Sequence, residues 1–202
     1  MANNVQQKQS SGGQIIKLAL VLLAVAAVIA LVLGFVNHIT EPKIKDYNER
    51  KTAEAYSNVM EGYKTDEAEV LYDVNDPALA DVQKVIEPDG TTITKLVKAP
   101  NGYVAETEFS GAQGMITMVI GLDNDLKCTG IYVTKHSETS GLGAKAADTG
   151  AGAWRDNLLG QGDGLALTSA GGEVTAISGA TITSKAVVTE VQTVINAVKN
   201  LG

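Results

Sequence analysis

The sequence has few of the residues from which disulfides, metal centres and nucleic-acid surfaces are built. Its 202 residues include one cysteine and two histidines, and aromatic residues make up only 4%. A single cysteine excludes an internal disulfide and any cysteine-rich zinc or iron–sulfur site, and two histidines leave little for a histidine-based metal centre. Scarce aromatics and a net charge of −7 argue against a surface that binds nucleic acid.

Charge and glycine are distributed unevenly along the chain. Residues 1–40 contain two lysines and no acidic residue, whereas the remaining 162 residues carry 14 basic and 23 acidic side chains. Sixteen of the 21 glycines follow residue 100. This distribution predicts a membrane segment followed by an acidic, glycine-rich soluble domain.

An uncharged run of 19 residues, 18–36, predicts a membrane anchor. As a helix it would rise about 28 Å, close to the hydrocarbon thickness of a bilayer. A cleaved signal peptide would have a shorter apolar core and a small-residue cleavage site, but Phe-Val-Asn-His follows here. We therefore expect a cytoplasmic tail over residues 1–14, a transmembrane helix over 15–37, a polar helical stalk over 38–65 and a soluble domain over 66–202.

The soluble part has the pattern of an α+β domain with antiparallel strand pairs. Thr-Glu-Pro at residues 40–42 is typical of a helix start and would open the stalk. β-branched, partly alternating segments predict two hairpins and a last strand: 91–97 with 103–109, 115–122 with 127–134, and 173–177. A short helical piece is expected near residues 154–159, and apolar residues at three- and four-residue steps predict a C-terminal helix: Val187, Val191, Val194, Ile195, Val198 and Leu201.

Two glycine-containing segments are candidates for a binding site. Residues 178–184 read Ser-Gly-Ala-Thr-Ile-Thr-Ser between the last strand and the final helix. Small residues allow close backbone approach, and a helix start offers free N–H groups to an anion such as phosphate. Residues 136–143 read His-Ser-Glu-Thr-Ser-Gly-Leu-Gly and follow a strand directly. From the residues alone, a plain helix cap at Thr183 or Ser184 remains the alternative to an anion site.

Together these two segments resemble the motifs of the covalent FMN-binding domain family. In that family the threonine after Ser-Gly-Ala is esterified to the FMN phosphate, and the matching residue is Thr181. The second segment is similar to the family's Glu-Thr-Pro-Gly-Leu-Gly loop beside the flavin, with Ser140 in place of proline. The family often has an acid six positions before the modified threonine, where this chain has Thr175. We expect this departure to weaken recognition by the flavin-attaching enzyme.

The order of anchor, stalk and motifs resembles the G subunits of Rnf-type electron transport complexes. The resemblance implies that residues 66–202 are an FMN-binding domain and that the chain passes electrons within a complex coupling ferredoxin and NAD chemistry to sodium or proton translocation. It implies further partners: another flavin subunit, an iron–sulfur membrane subunit and a flavin transferase. Turnover independent of the complex is not expected. The implied cofactor-binding residues, besides Thr181, are Ser178, Gly179, Ala180, Thr183, Ser184, Glu138, Thr139, Gly141, Leu142, Gly143 and His136.

Two alternative functions stay open from the sequence. The first is a flavinylated subunit of a sodium-pumping quinone reductase or an extracellular reductase. The second, of a different class, is an anchored binding domain without a cofactor.

Sidedness also stays open. Basic residues are more numerous after the apolar run than before it, which favours a cytoplasmic domain. The resemblance and the value of a covalent tether outside the cell, where lost FMN cannot be replaced, lead us to expect the domain on the extracytoplasmic side.

Overall fold

The computed structural model describes residues 11–88, 90 and 92–201. The helices within these residues are α1 (Ser11–Val59), α2 (Ala80–Ile86) and α3 (Thr181–Leu201). The strands are β1 (Glu69–Asp73), β2 (Ile93–Ala99), β3 (Gly102–Ser110), β4 (Met115–Asp123) and β5 (Cys128–Lys135). Short 3-10 helices lie at Thr65–Glu67, Pro77–Leu79, Gly143–Ala147, Trp154–Leu158 and Thr168–Ala170. The chain divides into two units, the first ending at Glu49 and the second beginning at Arg50.

The first unit consists, in its described part, of the N-terminal portion of α1. An 18-residue window within its segment Ile15–Glu41 has a mean hydropathy of 3.1, and the apolar side chains of the segment are exposed. At 1.5 Å per residue its 27 residues rise about 40 Å, more than the roughly 30 Å of a bilayer core. The predicted apolar helix is therefore confirmed, and it is long and apolar enough to cross a membrane.

The predicted helix start at residues 40–42 is wrong. α1 runs through this position without a break, and the Thr40 hydroxyl donates a 2.7 Å hydrogen bond to the Val36 carbonyl one turn earlier. This backward bond is the one a threonine makes inside a helix, whereas a cap would accept from N–H groups ahead of it. A proline at position 42 removes one N–H and therefore weakens the helix there without ending it.

The second unit contains a five-stranded antiparallel sheet in the order β1-β2-β3-β4-β5. Both predicted hairpins are confirmed. Ala99 pairs with Gly102 across the turn between β2 and β3. At the β4–β5 turn the Asp123 carboxylate accepts the N–H groups of Asp125 and Lys127. The α+β fold class predicted from the alternation of β-branched residues is confirmed.

Each face of the sheet is covered by a different helix. α3 packs on one face through five of its six predicted apolar positions, which are buried, whereas Leu201 is partly exposed. Sheet residues from β2 to β5 complete this core, among them Leu96, Ala105, Phe109, Met118, Ile120, Leu122 and Ile131. The last turns of α1, with Ala55, Tyr56 and Val59, and the next residue, Met60, cover the opposite face against Val97, Ala99, Val104 and Val119.

The end of α1 lies directly on a pair of glycines. Gly121 of β4 pairs with Gly130 of β5, and a Cβ on either would meet the backbone of Val59. Thr129 donates a 2.5 Å hydrogen bond to the Val59 carbonyl, and the Tyr56 hydroxyl donates one of 2.5 Å to Glu106. The end of α1 therefore packs with the sheet as part of the second unit, which begins at Arg50.

The predicted last strand, residues 173–177, is wrong. This segment forms only an isolated parallel bridge between Leu167 and Val174. Its backbone bonds to side chains instead: the Trp154 indole N–H donates to the Thr175 carbonyl at 2.6 Å, and the Ile177 N–H donates to Ser184 Oγ at 2.9 Å. The expected short helical piece is confirmed as the 3-10 helix at Trp154–Leu158, while α2 was not predicted.

Replacing Gly121 by valine should destabilise the second unit by about 1–3 kcal/mol, the usual cost of overpacking, because the new side chain displaces Val59. Urea unfolding of the full chain in detergent, followed by the fluorescence of Trp154, measures this change. The matched control is Gly150→Val, because a Cβ at Gly150 meets open space. Equal stability of the two variants would show that α1 does not pack against Gly121 and Gly130.

Candidate functional site

The segment at residues 178–184 forms a tight turn into α3. Gly179 has φ +75°, a conformation that favours glycine, and the Ala180 N–H donates to the Ile177 carbonyl at 2.9 Å. α3 begins at Thr181, and its first helical bond runs from the Ser184 N–H to the Ala180 carbonyl at 3.0 Å. The three N–H groups before Ser184 therefore have no partner one turn earlier in the helix, which is the condition for binding an anion.

The hydroxyl groups of this turn lie in different surroundings. Thr181 and Ser178 are exposed, whereas Thr183 and Ser184 are completely buried. Ser184 Oγ donates to the Ala180 carbonyl at 2.9 Å and accepts the Ile177 N–H, so it closes the turn. The Thr183 hydroxyl donates to the Glu138 carboxylate. Thr181 is therefore the accessible hydroxyl at the first residue of the helix.

A buried carboxylate joins the two candidate segments. The Glu138 side chain is only 8% exposed, and its Oε2 accepts a 2.5 Å hydrogen bond from the Thr183 hydroxyl. Its Oε1 accepts the Gln113 N–H at 2.9 Å from the turn between β3 and β4. Glu138 therefore connects three segments that are far apart in sequence: the loop after β5, the β3–β4 turn and the first turn of α3.

The surroundings of Glu138 favour its charged form. Burial by itself would raise the pKa of this carboxyl, but the Gln113 N–H and the Thr183 hydroxyl lower it. The Ala112 N–H and the nearby His136 act in the same direction, and the net effect is a lowered pKa. Glu138 is thus ionised at neutral pH and accepts the Thr183 hydroxyl hydrogen.

Two glycines make room for this carboxylate. A Cβ on Gly111 would meet Glu138 Oε1, and one on Gly143 would meet Glu138 Oε2 and, at 2.8 Å, Thr183 Oγ1. Both Glu138 and Gly143 therefore lie inside the junction of these segments, where the loop after β5 and the β3–β4 turn meet the first turn of α3, rather than on an open surface. Their predicted contact with a flavin stays a prediction, but a larger residue at 143 would disturb the junction itself.

The exposed part of the second segment lies against the first. Leu142 is 41% exposed, and its Cδ2 is 3.0 Å from the position of a Cβ on Gly179. Thr139 and Gly141 are also exposed, and Gly141 has φ +76°. His136 is half-buried and accepts the Glu138 N–H on Nδ1 at 3.2 Å. An apolar side chain thus stands beside the turn that presents Thr181.

Sequence reasoning missed the contribution of the β3–β4 turn. The Gln113 N–H donates to Glu138, and Gly111 leaves the space that Glu138 Oε1 occupies. The Gly111 N–H closes the turn by donating to the Gly114 carbonyl at 2.7 Å. The one available signal was the pair of glycines three residues apart between two strands. It indicates a turn but does not show which side chain the turn receives.

Comparison with known proteins places both segments in one family. A model of the FMN-binding domain matches residues 111–196, from the β3–β4 turn into α3. A relative from Acetobacterium woodii, named as the G subunit of a Na(+)-translocating ferredoxin:NAD(+) oxidoreductase complex, is 33% identical over 93% of each chain. The G subunit of an ion-translocating oxidoreductase complex from Methanosarcina acetivorans is 31% identical over 94% of this chain and 97% of its own.

Removing the charge of Glu138 should make the stability of the domain depend less on pH in the acidic range. Because its pKa is lowered on folding, the ionised group stabilises the folded state above about pH 4.3, and this contribution is lost as the pH falls further. We expect Glu138→Gln to unfold more easily at pH 7 by about 1–2 kcal/mol, with the difference shrinking below pH 4.

Urea unfolding at several pH values, followed by Trp154 fluorescence, measures this difference. Glu108→Gln, at an exposed position of β3, is the matched control and should behave as wild type. A Glu138→Gln variant as stable as wild type at pH 7 would contradict the proposed junction.

Proposed function

The chain belongs to the family of G subunits of ion-translocating oxidoreductase complexes, and from this premise we propose that Thr181 carries FMN as a phosphoester. The chain is a membrane-anchored flavin electron carrier of such a complex, with an FMN-binding domain over residues 111–196. The observation that carries the proposal is the exposed hydroxyl of Thr181 at the first residue of α3.

The choice of Thr181 over Thr183 and Ser184 follows from burial, and its choice over the exposed Ser178 follows from its place at the first residue of α3. Thr183 is fully buried, and its hydroxyl hydrogen is engaged by Glu138. Ser184 is equally buried and serves the turn. A modifying enzyme must reach the oxygen that it esterifies, so neither of these is a suitable acceptor. Thr181 is not flanked by a residue that would activate it, which supports attachment by a separate flavin transferase.

The start of α3 suits the phosphate of the ester. A phosphodiester keeps about one negative charge, and the positive end of a helix dipole stabilises such a charge by roughly 0.3–1 kcal/mol. The N–H groups of Thr181, Ile182 and Thr183 precede the first helical hydrogen bond. They are therefore available to phosphate oxygens in a way that later N–H groups of α3 are not.

The surroundings of Thr181 also suit the ring of a flavin. Leu142 offers an apolar side chain beside the turn, and Gly179 lets another group approach the backbone closely. FMN, when bound, supplies the electron-transfer chemistry. The chain itself holds and orients the cofactor: Glu138 fixes the loop that carries Leu142 against the helix that carries Thr181.

We assign the carrier a place inside its complex by analogy with the relatives. The Acetobacterium woodii protein is named for ferredoxin:NAD(+) chemistry coupled to Na(+) translocation. In the present chain we propose transfer of electrons between another flavin subunit and an iron–sulfur membrane subunit, coupled by the complex to sodium ions or protons. Acting alone, the chain should not turn over the outer substrates.

We propose further that the FMN domain lies on the extracytoplasmic side of the membrane. A covalent ester is most useful where lost FMN cannot be replaced from the cytoplasmic pool. The single thiol is suited to an oxidising exterior, because Cys128 is buried and burial raises its pKa to about 12.

The attachment site is tested by Thr181→Ala. The variant should lose the covalent flavin completely, seen as loss of ultraviolet fluorescence in a denaturing gel and as a lower intact mass of the membrane-purified protein. Thr189→Ala, at an exposed threonine of the same helix, is the control and should keep the flavin. Fluorescence retained in Thr181→Ala would refute the assignment.

Sidedness is tested with a single introduced thiol. Cys128 is buried and unreactive, so a Gly150→Cys variant adds one exposed thiol to the second unit. A membrane-impermeant maleimide should label it in intact spheroplasts and fail to label it in sealed inside-out vesicles. Labelling only in the inside-out vesicles would place the domain in the cytoplasm, as the count of basic residues suggests.

A further inference from the structure

Two buried carboxyl groups meet at one hydroxyl, away from the turn that presents Thr181. Glu87 follows the end of α2 and is 7% exposed, and Glu190 lies in the middle of α3 and is 4% exposed. Thr92 Oγ1, just before β2, lies 2.7 Å from Glu87 Oε1 and 2.8 Å from Glu190 Oε1. Neither carboxyl group takes part in the proposed cofactor site.

The two short contacts require more hydrogen atoms than the hydroxyl has. Thr92 can donate to only one carboxylate, because a hydroxyl carries a single hydrogen. If both glutamates were ionised, the other contact would bring two oxygens together with no hydrogen between them. One carboxyl group must therefore be protonated and donate to Thr92 Oγ1, while Thr92 donates to the other.

The backbone decides which carboxyl group is protonated. Glu87 accepts the Thr92 N–H at 2.9 Å on Oε1 and the Ile93 N–H at 3.0 Å on Oε2, and such donors stabilise an ionised carboxylate. Glu190 is bonded to Thr92 alone among the contacts described. The proton therefore belongs on Glu190, which donates to Thr92, and Thr92 donates to Glu87.

The electrostatic surroundings agree with this arrangement. Burial raises the pKa of the Glu190 carboxyl to about 7, the Thr92 hydroxyl opposes the rise, and the negative charge of Glu87 adds to it. Lys185, on the same helix, lines a groove together with Glu190 and Phe109. A cavity of about 450 Å³ gives the pair access to solvent, and its other described lining residues are uncharged: Ile86, Pro88, Gly90, Thr189, Thr193, Asn196 and Asn200.

We propose that Glu190 is a pH-sensitive latch, whose proton fastens α3 to Thr92 and, through Thr92, to Glu87 after α2. Loss of the proton leaves two negative charges facing each other across one hydroxyl and loosens α2 and the start of β2 from α3. The helix that is loosened is the one that begins at Thr181. The latch does not depend on whether Thr181 carries FMN.

The latch should make the folded state less stable as the pH rises from about 4.5 to about 7. Glu190 keeps its proton over this range in the folded state but loses it in the unfolded state, where the pKa is near 4.3. The unfolding equilibrium constant should then increase by up to about tenfold per pH unit and level off above pH 7. Glu190→Gln, whose amide donates to Thr92 in place of the proton, should abolish this component.

The proton is observed directly by carbon NMR of the full chain in detergent, with the glutamate carboxyl carbons labelled. Wild type should show one glutamate titrating near pH 7, and that resonance should be missing in Glu190→Gln. Glu108→Gln should keep it. Absence of any glutamate titrating above pH 6 in wild type would overturn the proposal, and this outcome needs no variant.

Urea unfolding between pH 5 and pH 7, followed by Trp154 fluorescence, tests whether the proton on Glu190 stabilises the folded state. The unfolding equilibrium constants of wild type and Glu108→Gln should increase with pH by up to about tenfold per pH unit relative to that of Glu190→Gln. The same pH slope in all three proteins would contradict the latch. The titration is repeated in sodium chloride and in choline chloride at equal ionic strength, because a midpoint that moves with sodium would identify a cation site instead and overturn the proposal.

Discussion

The hydrogen bond between Glu138 and Thr183 is the contact on which the site depends. It is short and buried, and it joins a loop after β5 to the first turn of α3, 45 positions further along the chain. The charge of Glu138 is maintained by N–H donors from the β3–β4 turn, and two glycines leave it space. Thr183 is held inward by this bond, whereas Thr181, two residues earlier, lies at the surface, where an enzyme can reach its hydroxyl.

The same sheet also binds the end of α1, the helix that contains the apolar segment. α3 packs against large apolar side chains of the sheet. The end of α1 instead packs against the paired glycines of β4 and β5, which let Val59 lie close to the sheet backbone. Hydrogen bonds from Thr129 and Tyr56 tie the helix end to the sheet. Both helices are thus fastened by polar contacts as well as apolar packing, and the sheet separates the two attachments.

The hairpins and α3 could be predicted because their patterns are local: alternation, turn residues and three- or four-residue steps appear in the sequence itself. Residues 173–177 look like a strand but lie where side chains of Trp154 and Ser184 occupy their backbone groups. The recognised motifs lie within the FMN-binding domain at residues 111–196, yet the buried position of Glu138 could not be read from them. Its partners, Thr183 and Gln113, are distant in sequence and are brought together only by the fold.

We expect this chain to carry FMN on Thr181 while the buried Thr183 stays unmodified. Digestion at Arg155 and Lys185 isolates both threonines in one peptide of the membrane-purified wild-type protein. Fragmentation of that peptide by mass spectrometry should place the mass of one FMN phosphoester on Thr181. An unmodified peptide, or the added mass on Thr183, would contradict the account.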